Sequence, residues 1–281
     1  MLALLLLWPA AVVADGAPLW VVEGDSGSVY VLGSVHLLKS SDYPLPEAVA
    51  RAYEAADELL MELDLDELDV AAVTGEMLAL GASGDGPKAR DVLGEDGWAR
   101  ARKDGRAYGL DLEILGDAEP WLVALMVYNL ALAQAGYDPA LGVDQHLARR
   151  AVGDGKPIGG LESLGDQLAL FDGLDPDTQR QMLEQTLDEI EGLAGEARTL
   201  VDAWRTGNLE ALERAFAQDF ADYPELQSRI VTDRNRSWLA AIEARLALPG
   251  TVLVVVGALH TVGPEGLPAL LEARGYRVER L

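Results

Sequence analysis

Two of the three histidines in this 281-residue chain stand in the same local setting. Gly33-Ser34-Val35-His36 and Gly257-Ala258-Leu259-His260 each close an apolar run rich in β-branched residues. An imidazole changes protonation near neutral pH and binds borderline divalent metals, so the pair suits proton transfer or ion binding. Glycine lets a backbone turn sharply and approach a ligand closely. Either turn alone is better explained by a surface or core histidine. Two of them, each at the carboxyl end of a strand, would face one crevice if the strands run the same way.

A carboxylate completes the set. Glu62 ends the apolar run ELLMEL at residues 58–63, which leaves its side chain at the same edge of a sheet. Nearby Asp64, Asp66 and Glu67 make a solvated strand end an equal reading. Glu162 follows a second expected strand at Lys156–Leu161, where Gly159 and Gly160 allow close backbone approach. Two imidazoles and a carboxylate suit a divalent ion while leaving positions for water and substrate. Asp144 and His146 stand near an expected helix start at Val143, where an Asp can cap free backbone amides. The cluster Asp233-Arg234-Asn235-Arg236 reads by itself as a charged helix face with local ion pairs.

The elements that must position these residues follow from periodicity. Leu19–Glu23 and Ser28–Leu32 form a hairpin around GDSG, with the second strand ending at Gly33. Helices are expected over Pro46–Ala56 and about Leu68–Leu80, followed by the exposed loop GASGDGPKARD. The middle of the chain, from about Ala118 to Leu248, is mostly helical, with long amphipathic patterns at Pro176–Ala203, Leu209–Ala221 and Pro224–Leu248. Thr251–Gly257 has no alternation and reads as a strand buried on both faces, then a helix at Gly263–Arg274 and a strand at Tyr276–Arg280. The fold class is therefore mixed α/β, a single domain over residues 15–281. N-terminal and C-terminal strands share one mixed sheet, and a helical middle is inserted between them.

Composition narrows the function. A formal net charge of −25 repels polyanions, which excludes a nucleic-acid partner. The chain has no Cys, so disulfides and thiolate metal sites are excluded, and it has no HExxH zinc-protease helix. Residues 1–14, MLALLLLWPAAVVA, match the length of a signal-peptide core and are too short to span a bilayer. They predict cleavage before Asp15 and export to the periplasm or exterior, with no transmembrane span in the mature chain.

Taken together, LWVVEGDSGSVYVLGSVHLL, ELLMELD, GVDQHL, GKPIGGLES, DRNRSWL and GALHTVGPEGLPALLEARGYRVERL resemble the TraB/GumN family, which includes the Tiki proteins. The resemblance implies that His36, His260 and Glu62 form the site, that Arg234 and Asn235 are the family's Arg-Asn motif, and that Glu162 is its second acidic residue. It also implies a fold shared with erythromycin esterase and ChaN-like proteins, and the metalloprotease activity assigned to Tiki relatives. The expectation is metal-assisted hydrolysis of a peptide or protein substrate. A divalent ion would sit on His36, Glu62 and His260, with Glu62 or Glu162 taking the water proton and Arg234 stabilising the tetrahedral intermediate. Two alternatives stay open: a metal-free His/Glu hydrolase, and a protein that binds haem, iron or a polypeptide without hydrolysing anything.

Overall fold

The computed structural model describes residues 16–66, 70–83, 86–220 and 223–281. The expected signal segment at 1–14 lies outside these residues. Six strands form one mixed sheet: β1 (Leu19–Glu23), β2 (Gly27–Ser34), β3 (Glu58–Met61), β4 (Ile158–Gly160), β5 (Gly250–Gly257) and β6 (Arg277–Arg280), in the order β4-β3-β5-β2-β1-β6. The four strands β4, β3, β5 and β2 are parallel neighbours, while β1 runs antiparallel to β2 and β6 to β1. The ends of the chain thus meet in the sheet, as the sequence implies.

Both faces of the central strands are buried, which accounts for their continuous apolar runs. On β5, Leu253 and Val255 join one core while Val252, Val254 and Val256 join another. The second core is closed by α11 (Asp233–Leu246) and α12 (Leu267–Ala273), through Trp238, Leu239, Ile242, Leu246, Leu267 and Leu271. The first face carries α1 (Glu47–Ala55) and the inserted helices. These are α2 (Val70–Ser83), α3 (Ala89–Ala107), α4 (Pro120–Gln134), α5 (Val143–Asp154), α6 (Leu164–Asp172), α7 (Pro176–Glu189), α8 (Leu193–Arg205), α9 (Leu209–Asp219) and α10 (Pro224–Gln227).

Three departures from the sequence reading have physical causes. Beyond the helix expected near Leu68–Leu80, a further helix, α3, precedes Ala118 in a stretch whose apolar signal is weak. Its buried positions are only Ala89, Trp98, Ala101 and Gly105, and Gly94 interrupts it at φ 66°, ψ 179°. The pattern at Pro176–Ala203 divides at Ile190 to Gly192 into α7 and α8, and Pro224–Leu248 contains a π-helical turn, Ser228–Thr232, ahead of α11. Strand β3 stops at Met61, so Glu62 is the first residue beyond it.

Parallel register delivers the site residues to one edge. Ser34 pairs with Gly257, so both Gly-x-x-His turns leave the sheet side by side. Met61 pairs with Val255 and Gly160, and Glu162 N–H donates to Glu62 O at 3.1 Å, so the two glutamates emerge next to one another. The indole N–H of fully buried Trp204, in α8, donates to Gly33 O at 2.6 Å and ties the insertion to the first turn. Replacing Trp204 by Phe keeps the ring but leaves a buried carbonyl unpaired, and should lower unfolding stability by about 1–3 kcal/mol. A denaturant titration checks this; an unchanged midpoint would mean that Gly33 O finds another donor.

Candidate functional site

Glu62 is held at both oxygens. Its Oε1 accepts the Gly257 N–H at 2.7 Å, and its Oε2 accepts from Arg234 Nη2 at 2.6 Å and from Gln167 Nε2 at 3.1 Å. Burial alone would raise its pKa. The charges of His260, His36 and Arg234 and the Gly257 N–H override that and bring it down to about 2. Glu62 is therefore a carboxylate at all physiological pH and a weak base.

His260 is 3% exposed, and burial, helped by Arg234 and His36, brings its pKa down to about 3 against the pull of Glu62. It is neutral near pH 7, so Arg234 and His36 are the cations that keep Glu62 ionised there. Its tautomer follows from its neighbours. Arg234 Nη1, which can only donate, lies 3.1 Å from His260 Nε2, so that nitrogen is the acceptor. The proton then sits on Nδ1 and is donated to Asn235 Oδ1 at 2.7 Å. The Asn235 amide is oriented by its donations to His260 O and Glu265 O, at 3.2 and 2.7 Å.

Arg234 has all five N–H groups engaged. Nε and Nη2 donate to Glu162, at 3.1 and 2.6 Å, and Nη2 also donates to Glu62. Nη1 donates to Ile230 O at 3.1 Å and to His260. The guanidinium rests over the Trp238 ring at 4.7 Å, and Trp238 Nε1 donates to Glu162 Oε2 at 3.2 Å. Glu162 therefore stands behind Arg234 and lines neither of the two cavities at His36. A guanidinium so committed has no donor left for a reacting oxyanion.

His36 differs from His260 in being 56% exposed, with Nδ1 3.3 Å from Asp144 Oδ2. Burial of the ring's inner face lowers its pKa, yet the Asp144 carboxylate and Glu62 outweigh this and raise it to about 9. The open face of the ring lets solvent screen the Asp144 attraction, and the 3.3 Å pair carries the upward direction. Helix α5 delivers Asp144 by docking on the turn, through Val143 N–H to Val35 O at 3.0 Å. Gly142 is needed for this approach, since a Cβ there would lie 2.3 Å from His36 O. Asp144 Oδ1 has no hydrogen-bond partner among the described residues, and its Oδ2 faces His36. The His146 ring meets Tyr43 at a tilt of 57°, with centroids 5.3 Å apart, and lines neither cavity.

The three groups converge on Gly257. A Cβ there would lie 3.1 Å from His36 Nε2, 3.4 Å from Glu62 Oε1 and 3.7 Å from His260 Cδ2. Gly257 has φ −53° and ψ 143°, and Gly33 has no positive φ. Both glycines are thus required for space, and the expected sharp turn plays no part. At Gly33 a Cβ would meet Thr261 Oγ1 at 2.8 Å and Ala258 Cα at 3.0 Å.

As a metal seat the donor set fits in part. His36 Nε2 and Glu62 Oε1 face the same point, whereas His260 Nε2 is taken by Arg234. Among the described residues, no three His, Asp or Glu side chains are grouped to hold an ion. Sequence reasoning missed Gln167, which is brought to Glu62 by α6. Its signal was the Ser163-to-Asp166 capping box that starts that helix right after Glu162.

The family model described as TraB/PrgY/gumN family matches residues 18–280. The uncharacterized protein YbaP of Escherichia coli (strain K12) is 24% identical, over 86% of this chain and 87% of its own. An uncharacterized protein of Treponema pallidum (strain Nichols) is 21% identical, over 91% and 80%. The zebrafish (Danio rerio) metalloprotease TIKI2 is 25% identical over 89% of this chain, which spans 58% of that protein. No solved structure gives a significant match.

The His36–Asp144 pair predicts a titration. In metal-free protein, the His36 ring resonances should titrate far above 6.5, towards about 9, and Asp144→Asn should bring the midpoint down. Because the folded pKa is raised, the stability from this pair is complete below about pH 6.5 and is lost as pH rises through about 9. A midpoint near 6.5 in both proteins, read by NMR, would show the pair to be electrostatically idle.

Proposed function

Because the chain belongs to the TraB/PrgY/gumN family and gathers two imidazoles and a carboxylate around Gly257, we propose that it hydrolyses peptide bonds at the cleft of His36, Glu62 and His260. The carrying observation is that convergence: only a glycine leaves the point they share open to a reacting group. The metalloprotease name of the zebrafish relative supports a peptide or protein substrate and a metal. The apolar segment at 1–14 supports action outside the cytoplasm. A fold shared with erythromycin esterase and ChaN-like proteins belongs to the same proposal.

A divalent ion would be held by His36 and Glu62, and when bound it would lower the pKa of a coordinated water towards neutrality. The chain's own residues do the rest. Asp144 fixes the His36 ring so that Nε2 faces the cleft, as a carboxylate behind a ligating histidine does. His260 and Asn235 hold Arg234, and Arg234 with Gln167 and the Gly257 N–H hold Glu62 in place and ionised. Glu62 acts by charge and position, since a group of pKa about 2 is a poor proton acceptor.

The 3.3 Å His36–Asp144 pair favours a second reading without metal. The neutral form of His36, a minority near pH 7 that grows as pH rises towards about 9, takes a proton from water as the water oxygen bonds to the carbonyl carbon. It then returns the proton to the amine nitrogen as the C–N bond breaks, with Asp144 stabilising the imidazolium in between.

A peptide-library screen on the purified protein tests both readings. Hydrolysis should disappear on exhaustive chelation and return with one or more divalent metals. His36→Ala should lose at least about a hundredfold with little change in melting, and Glu62→Gln should lose as much while also melting earlier, because it breaks the buried pair with Arg234. Full activity in either variant sinks the site. Activity that survives chelation shifts the reading to the metal-free route, in which Asp144→Asn is as damaging as His36→Ala. The glycines should separate stability from activity. Gly33→Ala meets backbone and should cost about 1–3 kcal/mol, whereas Gly257→Ala meets side-chain ends and should abolish hydrolysis at a smaller thermal cost.

A further inference from the structure

Ser34, between the end of β2 and His36, has no part in the arrangement above. It is 2% exposed, and its Oγ has no hydrogen-bond partner among the described residues. Buried hydroxyls almost always have one, so an orphan at a cleft calls for a ligand. Ser34 lines both cavities that meet at His36 and Glu62, of about 450 and 270 Å³. It lies two residues after Leu32, on the sheet face turned towards the helical insertion, and pairs in register with Gly257, the point of convergence.

The donors already described are committed, apart from the Nε2–H that a protonated His36 presents from its exposed side. Arg234 has used its five N–H groups, Gly257 N–H is bound by Glu62, and His36 Nδ1 is paired with Asp144. Among the described residues, just one other buried, unpartnered side-chain atom faces these cavities. It is Asp144 Oδ1, which carries no proton when ionised. The Ser34 hydroxyl is the buried side chain there with a proton still to give.

We propose that the Ser34 O–H donates a hydrogen bond to the substrate carbonyl oxygen and holds the negative charge that forms there. The assignment rests on the hydrolase reading. As the water oxygen bonds to the carbonyl carbon, the C=O pair moves onto the carbonyl oxygen, which accepts from Ser34. When the carbonyl re-forms, the C–N bond breaks and the proton lost by water ends on the departing amine nitrogen. No bond to Ser34 is made at any stage, and its proton never leaves it.

The test uses the full chain and a peptide found by the library screen. Ser34→Ala should lower kcat about a hundredfold with KM nearly unchanged, the size of effect seen when one oxyanion donor is lost. Its melting temperature should not fall, because an unpaired buried polar atom has been removed. Ser34→Thr, which keeps the hydroxyl, should recover most of the rate. A phosphinic analogue of the peptide should bind more weakly to Ser34→Ala in proportion to the kcat loss. If Ser34→Ala unfolds, Ser34→Cys replaces it, since a thiol is a weak donor and predicts the same loss. Unchanged kcat in Ser34→Ala, with His36→Ala inactive, overturns this role and leaves the hydrolase reading intact. Covalent labelling of Ser34 by a fluorophosphonate overturns it by making the serine a nucleophile. Absence of hydrolysis by the unmodified chain, or an active His36→Ala, overturns both.

Discussion

The Arg234 guanidinium joins four parts of the fold. From α11 it reaches the ends of β3 and β4 through Glu62 and Glu162, the turn after β5 through His260, and the π-helical turn through Ile230 O. The side chains of Arg234, Glu62 and Glu162 are 11%, 13% and 10% exposed, so this is a buried ion cluster in which desolvation offsets much of the attraction. Its value lies in position more than in net stability. Removing the cation would leave two buried carboxylates without the nitrogen that each now meets at 2.6 Å, a loss of about 3–5 kcal/mol in comparable buried pairs. The tautomer of His260 and the position and ionisation of Glu62 both depend on that centre.

The cluster also separates the two histidines, which look equivalent as sequence. His260 is enclosed, neutral and spoken for on both nitrogens. His36 is open, paired with a carboxylate on one nitrogen, and faces the cleft with the other. Identical motifs receive opposite environments because α11 packs over one turn and α5 docks on the other. One imidazole thereby holds the frame, and its twin is left facing the cleft.

Much of this was legible in the sequence wherever local pattern decides structure. The hairpin, the doubly buried β5 and the two Gly-x-x-His turns follow from period and residue type, and Glu62, Glu162 and Arg234 were recognisable as candidates from strand ends and motif. Their hierarchy was not. That Glu162 stands behind Arg234, and that Arg234 spends every donor within the protein, depends on pairings across 72 to 172 residues of chain that no local signal encodes. Helix α3 was hidden because Gly94, Gly97 and Gly105 dilute its apolar stripe. The glycines of the two turns were noticed for a conformational freedom they do not use, since the crowding that requires them exists only once the strands are paired.

The pairing of Ser34 with Gly257 has a consequence for how the molecule comes into being. Strands β2 and β5 are direct neighbours although 215 residues lie between the end of β2 at Ser34 and the start of β5 at Gly250, and the whole helical insertion must be accommodated before they meet. Such non-local parallel pairing is slow, because loop closure costs entropy before any contact repays it. On the ribosome β2 emerges well before β5, because the whole helical insertion is made between them. The cleft therefore cannot exist on a partial chain: a nascent or C-terminally truncated molecule carries His36 and Glu62 but has no place for them to converge, so any reactivity arises only once synthesis has passed β5.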